Sequence, residues 1–266
     1  MLVIGELING MFARVGRAIA KKDAAAVRRI ASEQAVCGAG ALDINCGPGS
    51  LSPADDMKWL VETVAAAVDK LLVLDSGKEE VLEAGLQAAG RPCLLNSATA
   101  EPNKLKRLLD LAAGYKSGLI VLTVGSSGMP QGCRQRIESA ARIVEICVET
   151  GFPLDNIYLD PVLMPVSVAQ AQVGAALETI KEFKVISPEL KSVVGLSNVS
   201  QSAPHRRLLN RVFLSMAAAY GLDAAILDPT DRELMETLSA ADILLNRNIY
   251  CESFLKECGG DKDGPG

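Results

Sequence analysis

Eight short aliphatic runs, each closing on a polar side chain and each followed by a longer amphipathic stretch, constrain this chain more than any other feature. The runs cover residues 2–6, 41–45, 71–75, 92–96, 119–123, 157–160, 193–198 and 224–228. They carry apolar side chains on both faces, as strands of a parallel sheet sandwiched by helices must. Between them the period changes. In 134–150, Ile137, Ala140, Ala141, Val144, Cys147 and Val148 recur at three- and four-residue steps, and in 206–220 Leu209, Val212, Phe213 and Met216 do the same. Each such helix has an apolar stripe to lay on a sheet.

Eight strand–helix repeats in 266 residues predict an α/β fold, a closed (β/α)8 TIM barrel in a single domain, since that architecture needs roughly 250 residues. The barrel is expected over 1–256, with a flexible C-terminal tail over 257–266, where glycine, charge and proline crowd together. An open doubly wound sheet would also alternate. It would carry a glycine-rich turn after the first strand, and Gly5-Glu6-Leu7-Ile8-Asn9-Gly10 is not G-x-G-x-x-G.

Composition narrows the function. A 49% hydrophobic content excludes wholesale disorder, and 27 basic against 32 acidic residues argue against nucleic acid or an anionic membrane as partner. No apolar run approaches the ~18 residues of a membrane span, and the N-terminus lacks a leader pattern, so a soluble cytoplasmic protein is expected. Seven cysteines without a CxxC pair suit a reducing compartment. With a single histidine, sites built from several His are excluded and any Ser-His-Asp or Cys-His arrangement would have to pass through His205, in the polar stretch 202–207; no metal ligand is assigned.

In a barrel the working face lies at the carboxyl ends of the strands. Those ends read Glu6, Asn45, Asp75, Asn96, Thr123, Asp160, Asn198 and Asp228, with Asn9 and Asp43 close by. Such residues are also common turn formers and helix caps. No lysine closes a strand, Lys78 lying beyond its own, which disfavours Schiff-base chemistry. Two readings stay open. Glu6, Asp43, Asp75, Asp160 and Asp228 could hold Mg²⁺, or Asp and Asn together could grip a flat heterocycle, the carboxylates accepting from an amidine-like edge and the amides both donating and accepting.

The segments GELINGMF (5–12), ALDINCGP (41–48), LDS (74–76), LNS (95–97), YLDP (158–161), GLSNVSQ (195–201), NRVFL (210–214) and GLDAAI (221–226) resemble the pterin-binding methyltransferase family. The likeness runs from Met1 to about Lys256. It is strongest to the methyltetrahydrofolate:corrinoid methyltransferases, and weaker to the folate domain of cobalamin-dependent methionine synthase and to dihydropteroate synthase. The Lys and S-x-R signature of the last is missing where Ser197-Asn198-Val199 stands.

The resemblance implies that Asp75, Asn96 and Asp160 hold the pyrimidine edge of a pterin and that Asn198 is the catalytic residue at the reacting N5. It implies that Gln201 and Arg206 make further pterin contacts, with Glu6 and Asp43 also at the ligand and Arg207 near its glutamate tail. His205 is expected to be an incidental loop residue and 125–130 a mobile lid. The expected activity is methyl transfer between N5 of tetrahydrofolate and the cobalt of a corrinoid, the direction set by the pathway. The cobalamin motif D-x-H-x-x-G is absent around His205, so the corrinoid is expected on a separate protein docking transiently at the mouth, and a homodimer is implied. The rivals are an Mg²⁺-dependent barrel lyase or hydrolase using Glu6, Asp43 and Asp228, and a noncatalytic pterin-binding module.

Overall fold

The computed structural model describes residues 1–249 except Ser127; the expected tail at 257–266 lies outside them, as do Cys251 and Cys258. Eight parallel strands pair in sequence order and close on themselves. They are β1 (Leu2–Asn9), β2 (Ala41–Asn45), β3 (Leu71–Asp75), β4 (Leu94–Thr99), β5 (Gly118–Leu122), β6 (Ile157–Asp160), β7 (Lys191–Gly195) and β8 (Ala224–Leu227). Outside them lie α1 (Ala13–Ala20), α2 (Ala24–Val36), α3 (Pro53–Ala65), α4 (Glu79–Ala89), α5 (Pro102–Gly114), α6 (Gly132–Thr150), α7 (Val166–Ile186), α8 (Arg206–Ala219) and α9 (Arg232–Leu244). The (β/α)8 barrel is therefore observed. Among the described residues no helix is long and apolar enough to cross a membrane.

The strands build two cores. Their outer faces meet the helices in two largely aliphatic clusters. Their inner faces fill the barrel with Ile4, Ala41, Val73, Leu94, Ile120, Val193 and Ala224, flanked by Leu2, Leu71, Tyr158 and Ile226. Strand side chains alternate between faces, so the inward position two residues beyond this apolar layer is Glu6 on β1, Asp43 on β2, Asp75 on β3, Asn96 on β4 and Asp160 on β6. Asp228 continues the series just past β8. A polar ceiling thus lies on an apolar plug.

Several boundaries differ from the sequence reading, each for a local reason. β1 runs on to Asn9 through a bulge between Gly5 and Ile8, because the buried Gln34 of α2 accepts from Leu7 N at 2.9 Å and satisfies the donor that the bulge removes from the ladder. β4 continues to Thr99 across a similar irregularity after Asn96. β7 stops at Gly195, and Leu196–Asn198 forms a 3₁₀ turn, which takes Asn198 off the strand. Thr123 belongs to the wall instead of the mouth: it is buried, and its N and Oγ1 donate to Asp160 O at 2.9 and 3.0 Å. The buried faces of two helices are also turned. α6 buries Arg136, Ala140, Ile143, Ile146 and Cys147 while Val148 is exposed. α8 buries Phe213, Leu214, Ala217 and Ala218 and leaves Val212 and Met216 largely in solvent.

Gly10 and Gly47, after β1 and β2, pack backbone to backbone. A Cβ on Gly10 would overlap the carbonyl of Cys46, and Gly47 sits at φ 76°. Neither neighbour is a flexible side chain that could move aside, so Gly10→Ala is expected to destabilise the barrel by about 2–4 kcal/mol. A urea midpoint equal to that of the wild type would contradict this packing.

Candidate active site

The polar ceiling is organised by amide–carboxylate pairs. Asp75 and Asn96 are direct register partners on β3 and β4. Asn45 donates Nδ2 to Asp75 Oδ2 at 2.7 Å while its own Oδ1 accepts from Gly47 N at 2.6 Å, which fixes its orientation. Asn96 donates Nδ2 to Asp43 Oδ1 at 3.1 Å. Asp160 accepts from Val162 N at 2.7 Å through Oδ1. Among the described residues Asp75 Oδ1, Asn96 Oδ1 and Asp160 Oδ2 take no protein donor. All three residues stand at inward positions just above the apolar layer.

Across the opening, Ser197 Oγ donates to both oxygens of Glu6, at 2.8 and 3.0 Å. Asp228 Oδ1 accepts from Thr230 N and Thr230 Oγ1 at 2.8 and 2.6 Å, closing its own turn. Two cavities flank the polar ceiling. One, of about 410 Å³, is lined by Asn45, Cys46, Asp75 and Lys78; the other, of about 390 Å³, by Glu6, Ser197, Arg206 and Asp228. Both fall within the size range of small-molecule sites.

Burial raises the carboxyl pKa of Glu6, Asp43, Asp75 and Asp160. For Asp160 it reaches about 7, despite the opposing Val162 N–H and Arg136 charge. Asp43 stands well above the usual carboxylate range because it is enclosed and faces Asp75 and Glu6, with the Asn96 amide pulling the other way. Asp75 is raised by burial against the pull of Asn45. In Glu6, burial and Asp228 raise the value while Ser197 and Arg206 lower it. A mouth of desolvated carboxyls with unused acceptors suits a ligand edge rich in N–H donors. Among the described residues no three His, Cys, Asp or Glu side chains converge as a metal set; Glu6, Asp43 and Asp228 each turn to a different partner.

Asn198 lies exposed on its 3₁₀ turn at the rim, its carbonyl accepting from Gln201 N at 3.2 Å. Its amide rests against Gly195, where an added Cβ would come within 2.9 Å of Nδ2. Among the described residues no side chain or backbone group engages that amide. Arg206, at the start of α8, spends its guanidinium on the same turn, with Nη2 to Ser197 O and Nε to Ser200 Oγ, both at 3.3 Å. Gln201 is exposed, Arg207 lies 3.7 Å from Asp231, and His205 is exposed at φ 54° ahead of α8. Gly125 and Gly128 pair across a tight turn whose Ser127 is outside the described residues. Sequence reasoning missed Ser197, the bracing role of Asn45, and Arg136 of α6. Ser197 and Asn45 stood in the motifs; nothing in the sequence signalled Arg136.

A closed barrel whose mouth presents paired Asp and Asn acceptors defines a class, and sequence comparison names it. The chain belongs to the pterin binding enzyme family, whose profile matches residues 13–228. It is 32% identical to methylcorrinoid:tetrahydrofolate methyltransferase of Eubacterium limosum over 267 residues, covering all of this chain and 98% of that one. It is 28% identical to methionine synthase of Mycobacterium tuberculosis over 239 residues, 85% of this chain and 20% of that far longer protein. A structure of Yersinia pestis DHPS with a pterine-sulfa conjugate superposes with TM-score 0.65 over 92% of this chain and 94% of that one at 18% identity, a likeness of fold.

Proposed function

We propose that this chain is a methyltransferase moving a methyl group between N5 of (methyl)tetrahydrofolate and the cobalt of a corrinoid carried by a separate protein. One observation carries the reading: three unpaired acceptors, on the neighbouring Asp75 and Asn96 of β3 and β4 and on Asp160 of β6, sit at inward positions above an apolar layer. A pterin offers the complementary edge, with N3–H and the 2-amino group donating to Asp160 and the remaining groups meeting Asp75 and Asn96. The full-length similarity to a methylcorrinoid:tetrahydrofolate methyltransferase supports the same choice of substrate pair.

With the pterin edge held there, N5 lies toward the rim, where the uncommitted Asn198 amide stands. N5 is a poor leaving group unless it gains positive character. An amide can accept from a protonated N5 or donate to a neutral one, so Asn198 serves both protonation states and both directions of transfer. The corrinoid supplies a cobalt centre able to give or take the methyl group. The described barrel is filled by its own side chains below the mouth, which favours a partner that docks transiently from above. The resemblance adds a homodimer to this picture, and the free cysteines among the described residues suit a cytoplasmic setting.

The test is calorimetry with 5-methyltetrahydrofolate, followed by addition of free cob(I)alamin and observation of the cobalt absorbance. Saturable binding with conversion of cob(I)alamin to methylcobalamin, unaffected by EDTA, is expected. Binding without any cobalt change would support a noncatalytic folate carrier, and no binding would overturn the assignment of the mouth.

A further inference from the structure

Arg136 is the largest fully buried side chain among the described residues. It is a cation held by neutral oxygens, since among the described residues no carboxylate pairs with it. Nε donates to Pro161 O at 2.6 Å, Nη1 to Gly132 O and Gln172 Oε1 at 2.9 Å each, and Nη2 to Val162 O at 3.4 Å. Burying an arginine in this way disfavours its charge, so such a site needs a reason. Two of the four acceptors belong to the loop that begins at Asp160. In that loop Val162 takes a left-handed conformation, φ 61°, and returns its N–H to Asp160 Oδ1.

The same loop runs into the first turn of α7, which reaches the other half of the site. Val166 N donates to Val199 O at 2.9 Å and Ser167 Oγ to Gln201 O at 3.1 Å, both on the segment that carries Asn198. We infer that Arg136 is a positioning residue: by gripping the Pro161 and Val162 carbonyls it aims the Asp160 carboxylate and steadies the seat of the Asn198 turn. It also places a positive charge near Asp160. From α6, Arg136 bears on Asp160, and Cys133 on Arg136; just after β5, Thr123 contributes a neutral hydroxyl to the Asp160 carbonyl; from the loop after β6 comes the Val162 N–H.

This inference rests on the reading of the mouth as a pterin site, and its test separates the two. In protein labelled with ¹³C at aspartate carboxyls, Arg136→Met is expected to raise the Asp160 titration midpoint by about one unit, because an ion of opposite sign is lost. Arg136→Lys keeps the charge but cannot span four acceptors, so the midpoint moves by less than about half a unit while 5-methyltetrahydrofolate binds about tenfold more weakly. Titration and affinity unchanged in both variants would overturn the role. If Arg136→Met does not fold, Arg136→Lys decides through affinity. A wild-type protein that ignores 5-methyltetrahydrofolate defeats the pterin reading alone, and the Asp160 titration still tests Arg136.

Discussion

Asn198→Ala is expected to lower the rate of methyl transfer by about 10²–10³-fold, the loss seen when one preorganised hydrogen-bonding group at a developing charge is removed. The dissociation constant for 5-methyltetrahydrofolate should stay within about threefold of wild type, because the pterin edge is held by Asp75, Asn96 and Asp160 and these do not touch Asn198. The structure supports this separation. Asn198 is exposed on a turn braced by Arg206 and by the Val166 and Ser167 contacts, none of which uses its side chain, so truncation leaves the turn intact. Single-turnover cobalt absorbance reports the rate, and calorimetry reports the affinity. Unchanged turnover would remove Asn198 from the mechanism; an equal loss of binding and rate would make it a binding residue instead.

The barrel was legible in the sequence because its signal repeats eight times and each repeat is local. The polar ceiling was legible for the same reason: Asp75, Asn96 and Asp160 sit at positions of fixed parity, two residues beyond the inward Val73, Leu94 and Tyr158. What escaped the sequence depends on partners far away in the chain. The extension of β1 needs Gln34, 27 residues from the Leu7 N–H that it satisfies. The turned face of α6 follows from the buried Arg136, whose acceptors lie on the loop after β6 and on α7. The pairings of Asn45 with Asp75 and of Asn96 with Asp43 join different strands, and only assembly of β2, β3 and β4 into one sheet brings them together. Residue types at the mouth could be read, whereas their aim could not.

Asp160→Asn should separate stability from function most sharply. Folding raises the Asp160 pKa to about 7, against about 3.9 for an unfolded aspartate. The folded state therefore holds this proton more tightly, and the associated stability is complete below about pH 4 and is lost as pH rises through about 7. Glu6, Asp43 and Asp75 are shifted in the same direction, so the ligand-free protein is expected to become more stable as pH falls from 8 to 5. Asparagine at 160 can still accept from Val162 N through Oδ1 and carries no charge to desolvate. At pH 8 the variant should gain on the order of 1–3 kcal/mol over wild type, less than the full shift because the site is partly solvated. At pH 5 the difference should shrink, since the wild-type carboxyl is then protonated as well. Binding moves the other way. The Asn Nδ2 would face the mouth as a donor against the ring N3–H and 2-amino donors, replacing two charge-assisted bonds with a clash of like groups, a loss of about 10²–10⁴-fold in affinity. In the wild type the same logic makes 5-methyltetrahydrofolate affinity fall below pH 7, by up to about tenfold per unit where binding requires the ionised Asp160. Urea midpoints and calorimetry at pH 5 and pH 8 measure both effects; a variant less stable than wild type at pH 8, or one that binds folate normally, would show that Asp160 is not the strained carboxylate at the pterin edge.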